Sequence, residues 1–252
     1  MKRILIDGNT SNNLAKKIAK KIGATYISSS LRVFPDGESK ITLSSKPKKG
    51  QIVVVQSTYP PVDSNLLRAL SLIFAARQYT KNVVAVIPYM GYARQDREFL
   101  PGEIITMRVI SKLFKSVGTS KVIVVDIHSS IALNQLKIPA KNISAIPQLV
   151  KYFKKLKLQN PIVISPDKGG SVRAKKFAEL YGTDFLVLQK QRNRKTGKVQ
   201  IKSKKLSEVK GRDLVLVDDM ISTGGSIIKA TQFLKKQKCR KIFVACTHAL
   251  LR

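Results

Sequence analysis

Acidic residues are scarce in this chain: 15 Asp and Glu stand against 47 Lys and Arg over 252 residues, a formal net charge of +32. Such an excess concentrates polyanions around a protein. The cations are spread along the chain, with moderate clusters at 151–157, 190–205 and 235–241, and without the interleaved aromatics of a base-stacking platform. Most of the excess is therefore expected to be solvated surface, part of it to serve anionic substrates, and sequence-specific nucleic-acid binding is not expected. Cysteine is equally sparse. Two residues, Cys239 and Cys246, cannot build a disulfide framework. With His248 they would offer three zinc ligands where a structural site normally has four, so core cysteines are expected. No apolar run approaches the ~18–20 residues that span a bilayer. Asp7 ends the first apolar run after Ile4, Leu5 and Ile6, too early for a signal peptide, which leaves a cytoplasmic protein as the expectation. A GxxxxGK[ST] loop is also missing, against an ordinary P-loop kinase.

What is present is an alternation of short apolar runs with amphipathic stretches, the pattern of an α/β protein with a largely parallel sheet. Strands are expected at 3–6, 52–56, 83–87, 122–126, 162–165, 185–189, 214–218 and 241–247. Helices are expected at 12–22, 65–78, 104–114, 147–155, 170–180 and 226–236. The chain is long enough for two domains of roughly 120 residues, each with its own core. A faint repeat supports two: 122–133 shares with 214–227 the layout strand, acid, hydroxyl-bearing loop, helix, and 52–58 parallels 162–170. The boundary is expected near Lys141 to Ser144, giving domains 1–143 and 144–252.

The most informative segment is 214–226, LVLVDDMISTGGS. Four apolar residues read as a buried strand, followed by Asp218 and Asp219, then Ser222, Thr223, Gly224, Gly225 and Ser226 before a helix. A strand tip can hold two carboxylates where they accept hydrogen bonds from a diol. Glycines let backbone N–H groups converge on an anion, helped by the helix dipole. A sugar phosphate satisfies both halves, hydroxyls to the acids and phosphate to the loop. The bland alternative is an ordinary strand-to-helix turn.

Other segments bear on the partner. Phe34-Pro35-Asp36-Gly37-Glu38 is a turn whose aromatic and acids could stack on a purine and bond its edge. Arg94, Gln95, Asp96 and Arg97 follow a strand, with the arginines spaced to grip phosphate oxygens. His128, one of only two histidines, lies just past another strand's carboxyl end. Asp167-Lys168-Gly169-Gly170 offers an anion-binding turn and a hard oxygen for Mg²⁺. Residues 190–198, KQRNRKTGK, lack apolar periodicity and read as a cationic flap or as a solvated charge run.

The segment at 214–226 resembles the ribose-5-phosphate loop shared by phosphoribosyltransferases and phosphoribosyl pyrophosphate synthetases. Taken in order, DGE, RQD, the His128 site, PDKGG, KQR and VDDMISTGGS resemble the second family, the ribose-phosphate diphosphokinases, from about Ile4 to His248. The resemblance implies two tandem phosphoribosyltransferase-type domains, each a mostly parallel sheet flanked by helices. It implies Mg²⁺-dependent transfer of the diphosphoryl group of ATP to the C1 hydroxyl of ribose 5-phosphate, giving phosphoribosyl pyrophosphate and AMP. By the same resemblance, Phe34, Asp36, Gly37 and Glu38 hold adenine, reaching across from a neighbouring subunit, and Arg94, Gln95 and Asp96 contact ATP. His128 and Asp167 meet the metal, and residues 167–170 form the diphosphate loop. Lys190 and Arg192 are the catalytic pair, with Arg192 also touching ribose 5-phosphate. Asp218 and Asp219 bind ribose hydroxyls and residues 222–226 the 5-phosphate. A homo-oligomer, at least a dimer and up to a hexamer, is implied too. Two departures stand out: the family continues several tens of residues past this segment, and Ala249 replaces its usual glycine. Two other readings compete: a phosphoribosyltransferase, which would need no ATP-binding segments, and a non-catalytic regulatory or nucleic-acid-binding relative.

Overall fold

Runs of Ile and Val only four or five residues long, bounded by polar turns, become the strands at the centre of each half of the molecule. The computed structural model describes residues 2–192, 199–202 and 206–251. Two compact units divide it, Met1–Ile143 and Ser144–Arg252.

In the first unit, β1 (Arg3–Asp7), β2 (Thr25–Ile27), β5 (Gln51–Val55), β6 (Val83–Ile87), β7 (Lys121–Val125) and β8 (Ala140–Ile143) form one sheet in the order β2-β1-β5-β6-β7-β8. Every neighbouring pair is parallel. Helices α1 (Asn12–Ile22), α2 (Val62–Arg77), α3 (Thr106–Ser116) and α4 (Ser130–Gln135) supply the returns. Period-2 alternation explains why the strands are apolar throughout. On β1 and β5, Ile4, Ile6, Ile52 and Val54 pack with α2 and α3 through Ile73, Met107 and Phe114. Leu5, Val53 and Val55 point the other way, onto Ala15 and Ala19 of α1. A separate antiparallel hairpin, β3 (Ser29–Val33) with β4 (Ser39–Leu43), leaves the carboxyl end of β2.

The second unit opens with α5 (Ile146–Lys154) and builds a parallel sheet in the order β10-β9-β13-β14. Its strands are β9 (Ile162–Ser165), β10 (Phe185–Val187), β13 (Asp213–Ile221) and β14 (Lys241–Ala249). Helix α6 (Ser171–Tyr181) joins β9 to β10, and α7 (Gly225–Lys235) joins β13 to β14. One face packs Val163, Val215 and Val217 against Phe153 and Phe177, whose rings meet edge-on at 5.6 Å. Ile162, Ile164, Leu214 and Leu216 face Ala230 and Leu234 of α7. A second hairpin, β11 (Gln189–Arg192) with β12 (Val199–Lys202), follows β10. A 3₁₀ turn, Leu206–Val209, precedes β13. Among the described residues, no helix is long and apolar enough to cross a membrane.

Both units therefore run strand, helix, strand, hairpin, strand, helix, strand, with strand orders 2-1-5-6 and 10-9-13-14. This gives the repeat a different phase from the sequence expectation. β1 answers to β9 and β5 to β13, whereas the sequence pattern sets residues 122–133 against 214–227 and 52–58 against 162–170. Apolar runs ending in acids and hydroxyls recur at every strand tip, so local likeness cannot fix the phase; connectivity can. The expected strand at 185–189 also divides, because Gln189 already begins the hairpin. The expected strand at 214–218 instead continues through the acid pair to Ile221, held by pairing as far as Ala249.

Candidate active site

Two strand-to-helix loops lie side by side at the carboxyl edge of the second sheet, one after β9 and one after the neighbouring β13. After β9, the buried Ser165 donates its hydroxyl to the Asp167 carbonyl at 2.7 Å, while Asp167 Oδ1 accepts the Gly170 amide at 3.1 Å. These bonds fold residues 165–170 into a tight turn leading into α6. A Cβ on Gly170 would lie 2.8 Å from Ser165 Oγ, so the turn's closeness demands glycine there. Gly169 is exposed and its Cβ would meet only Asp167 Oδ1 at 3.3 Å.

After β13, Gly224 takes a left-handed φ of +75° and α7 starts at once, with no acidic residue in its first turn. The leading amides of a helix have no carbonyl within it to accept them, and the dipole adds attraction for an anion. Ser222, Thr223 and Ser226 set hydroxyls around that end. Just before the loop, Asp219 is 2% exposed and pairs with Arg173 of α6 at 3.4 Å. Asp218 is half-buried, and its Oδ1 accepts the Asp219 amide at 2.9 Å. Burial, above all, and then the hydrogen bond and charge of Asp219 push the Asp218 carboxyl up to about 7; Asp167 adds to the effect. In the parallel register Asp218 lies beside Cys246, so both side chains share a face. Burial and the two aspartates raise that thiol. Cys239 packs against the core below α7, its thiol also raised, chiefly by burial. Among the described residues, no group of three or more His, Cys, Asp and Glu is arranged to hold a metal ion by itself. Lys190 and Arg192 belong to β11; residues 193–198 of the cationic stretch lie outside the described residues.

The first unit carries its own group at the carboxyl edge of its sheet. The hairpin tip is closed by the Phe34 amide on the Glu38 carbonyl at 2.8 Å, the Gly37 amide on the Phe34 carbonyl at 2.9 Å, and the Glu38 amide on Asp36 Oδ1 at 3.0 Å. Gly37 has φ +93°, which favours glycine. Arg32 stacks over the Phe34 ring at 5.0 Å, and Asp36 and Glu38 are exposed. In the loop after β6, Arg94 and Gln95 are exposed while Asp96 is 2% exposed. Asp96 accepts hydrogen bonds from Ser129 Oγ and from Arg97 Nε, and its carbonyl accepts one from the Gln135 side chain. Those bonds tie the Arg94 loop to the loop that carries His128, itself exposed between β7 and α4.

The structure thus gathers Asp167, Asp218 and Asp219 in one unit, and the Arg94 and His128 loops in the other. Sequence reasoning missed Arg173, Ser129 and Gln135. Arg173 could have been suspected as a cation in the first turn of a helix leaving an acid-lined edge. Ser129 and Gln135 gave no signal, because only the folded backbone brings them to Asp96.

Comparisons with known proteins show what the chain as a whole is similar to. Residues 3–118 match the N-terminal domain of ribose phosphate pyrophosphokinase, and residues 132–250 match the phosphoribosyl transferase domain. The chain is 34% identical to a ribose-phosphate pyrophosphokinase of Sulfurisphaera tokodaii over 98% of its length and 85% of the relative's. It is 37% identical to the one from Methanopyrus kandleri over 94% of this chain and 81% of that protein. Its fold matches a crystal structure of phosphoribosylpyrophosphate synthetase from Mycobacterium smegmatis with a TM-score of 0.88, at 27% identity, covering 100% of this chain and 83% of that one.

Proposed function

The chain belongs to the ribose-phosphate pyrophosphokinase family, and from that premise we propose how its residues divide the reaction. The enzyme transfers the diphosphoryl group of ATP to the C1 hydroxyl of ribose 5-phosphate. The C1 oxygen forms a bond to the β-phosphorus, the bond to the AMP oxygen breaks, and phosphoribosyl pyrophosphate and AMP leave. The observation that carries the assignment is the pair of anion-cradling turns on neighbouring strands, one of them led by two carboxylates.

Asp218 and Asp219 accept the ribose hydroxyls, and Arg173 holds Asp219 in place. Residues 222–226 and the start of α7 take the 5-phosphate. Asp167, Lys168, Gly169 and Gly170 take the diphosphate. In the other unit, Phe34 lies against the adenine, with Asp36, Gly37 and Glu38 toward its edge. Arg94 and Gln95 meet the ATP phosphates, and Asp96, being buried, positions them from beneath. Little covalent chemistry falls to the protein in such a transfer, so alignment and charge neutralisation dominate. Lys190 and Arg192 supply cations where charge grows at the transferring phosphorus, Arg192 also touching the sugar phosphate.

Magnesium fits the donor set. Asp218 is raised chiefly by burial, then by Asp219, with Asp167 adding, and a divalent cation would relieve the part of this that is repulsion. Mg²⁺ keeps several waters and takes only one or two protein oxygens beside substrate phosphates, which suits a site without a closed ligand cage. In the second unit Asp167 would hold it, and when bound it would neutralise the phosphate oxygens; in the first unit His128 would meet the metal that accompanies ATP. We place the enzyme in the cytoplasm as a homo-oligomer. The direct test is incubation with ATP, Mg²⁺ and ribose 5-phosphate. AMP and phosphoribosyl pyrophosphate should appear in equal amounts; ADP as the product, or no turnover, would overturn the reading.

A further inference from the structure

Acidic charge in the first unit is sorted by the direction of its strands. Every carboxylate of residues 1–143 lies toward the carboxyl edge of the sheet: on the last residue of β1, at the hairpin tip, in the first turn of α2, between β6 and α3, or directly after β7. The opposite edge is cationic. β1 is approached through Lys2, β5 through Lys48 and Lys49, β6 through Lys81 and β8 through Lys137, and β7 begins at Lys121; all six are exposed. The last turn of α1, which feeds β2, adds further lysines. The register starts β1 and β5 level and then steps each later strand by one residue, with Arg3 beside Gln51, Ile52 beside Val83, Val84 beside Lys121 and Val122 beside Ala140. Four inter-strand steps of ~4.8 Å make this a row about 19 Å long.

Lysines in the last turn of a helix are explained by the helix dipole. Those leading the strands are not, and a row of like charges without a carboxylate costs free energy until something anionic covers it. About 19 Å is roughly half a helical turn of duplex, so the row can meet the phosphates of either strand that face it along that length. Exposed apolar side chains are sparse at this edge: Tyr79 just past α2 and Leu113 in the last turn of α3. That is too little to stack successive bases of a single strand or to anchor in a lipid surface.

We propose that the amino-end edge of the first unit's sheet docks duplex nucleic acid through its phosphates, without regard to base sequence. The solvated-surface expectation does not extend to this edge, because here the lysines stand in a row with no carboxylate among them. The occupant is the sugar–phosphate backbone, since nothing on the edge could read base edges in a groove.

The test is fluorescence anisotropy of a labelled duplex of about 20 base pairs, titrated with the full chain between about 50 and 200 mM salt. Replacing Lys2, Lys49, Lys81 and Lys121 by Gln should weaken binding at least ~10-fold at low salt. It should also flatten the log–log salt slope by about 3.6, at ~0.9 per lost phosphate contact. A control that loses equal charge from exposed positions in the second unit, Lys175, Lys176, Lys235 and Lys236 to Gln, should bind nearly as the parent does. Diphosphoryl transfer should be unchanged in the edge variant. If the fourfold variant melts early, Lys81→Gln with Lys121→Gln carries the same test with a slope change of about 1.8. Equal losses in edge variant and control would overturn the proposal. So would tighter binding to the single strand, or to vesicles containing anionic lipid, than to the duplex.

Discussion

Asp218 is where local physics and substrate chemistry meet most directly. Its carboxyl is raised to about 7 by burial first and by Asp219 second. The folded protein thus keeps a proton that the unfolded chain releases near its ordinary value of 3.8. The stability from this group is full below that ordinary value, falls as pH rises toward about 7, and is flat above it. On the proposed reading sugar binding runs the other way, because the ionised carboxylate is the form that accepts the ribose hydroxyls. Affinity for ribose 5-phosphate should fall about tenfold for each pH unit below 7. Calorimetry from pH 6 to 8 on the parent and on Asp218→Asn separates this from the ligand's own phosphate titration. An identical slope in both proteins would remove Asp218 as the cause. Lys190 poses a different question, since its cation is meant for charge that exists only during transfer. Lys190→Ala should cut turnover by ~10²–10⁴-fold with far smaller changes in substrate affinity. Near-normal turnover would take Lys190 out of the mechanism.

Turns rather than strands decide what each unit can hold. The β9–α6 turn depends on Ser165 lying against Gly170 with no room for a methyl. Gly170→Ala should cost roughly 1–3 kcal/mol of stability and weaken ATP, because the turn must open. Ser165→Ala removes the clashing oxygen, so the double variant should recover part of both losses. Chemical denaturation and the KM for ATP read the result, and a double variant no better than Gly170→Ala alone would sink the steric account. The central strands of the fold were legible because apolar runs with polar ends have few other fates; 83–87 and 162–165 match their bounds, as does helix 12–22. The two hairpins, β2 and β8 were not foreseen, and α4 only as the helix that closes the 122–133 repeat. Thr25–Ile27 is too short for a periodic signal, and Ser39–Leu43 alternates exposed and half-buried residues without a core-facing stripe. Among the site residues, the acid pair and glycine loops were visible because their chemistry is contiguous. Arg173 and Ser129 act from other elements, so only topology reveals them.

The same order of elements serves twice in this chain, yet the two copies carry different loops at equivalent places. Where β13 carries two carboxylates near its end and leads into a glycine-started helix, β5 is followed by Gln56, Ser57 and Thr58, all buried. Those groups are turned inward: the Ser57 amide donates to Thr10 Oγ1 at 2.7 Å, and Thr58 Oγ1 accepts the Gly91 amide at 2.7 Å. Asp63 in the first turn of α2 also sets negative charge where α7 has none. The edge proposed to bind an anion in one copy is thus a buried edge in the other, which on the proposed reading leaves the hairpin and the Arg94 loop of the first unit to hold the nucleotide. This division makes the two ligands separable by mutation. Asp218→Asn combined with Asp219→Asn should weaken ribose 5-phosphate by ~10- to 100-fold, the worth of charged hydrogen bonds, while ATP changes by no more than about twofold. Phe34→Ala should do the reverse, lowering ATP affinity and sparing the sugar phosphate. Calorimetry of each ligand alone makes the comparison. Equal losses for both ligands in the aspartate variant would mean that the pair supports the fold or the metal rather than the sugar.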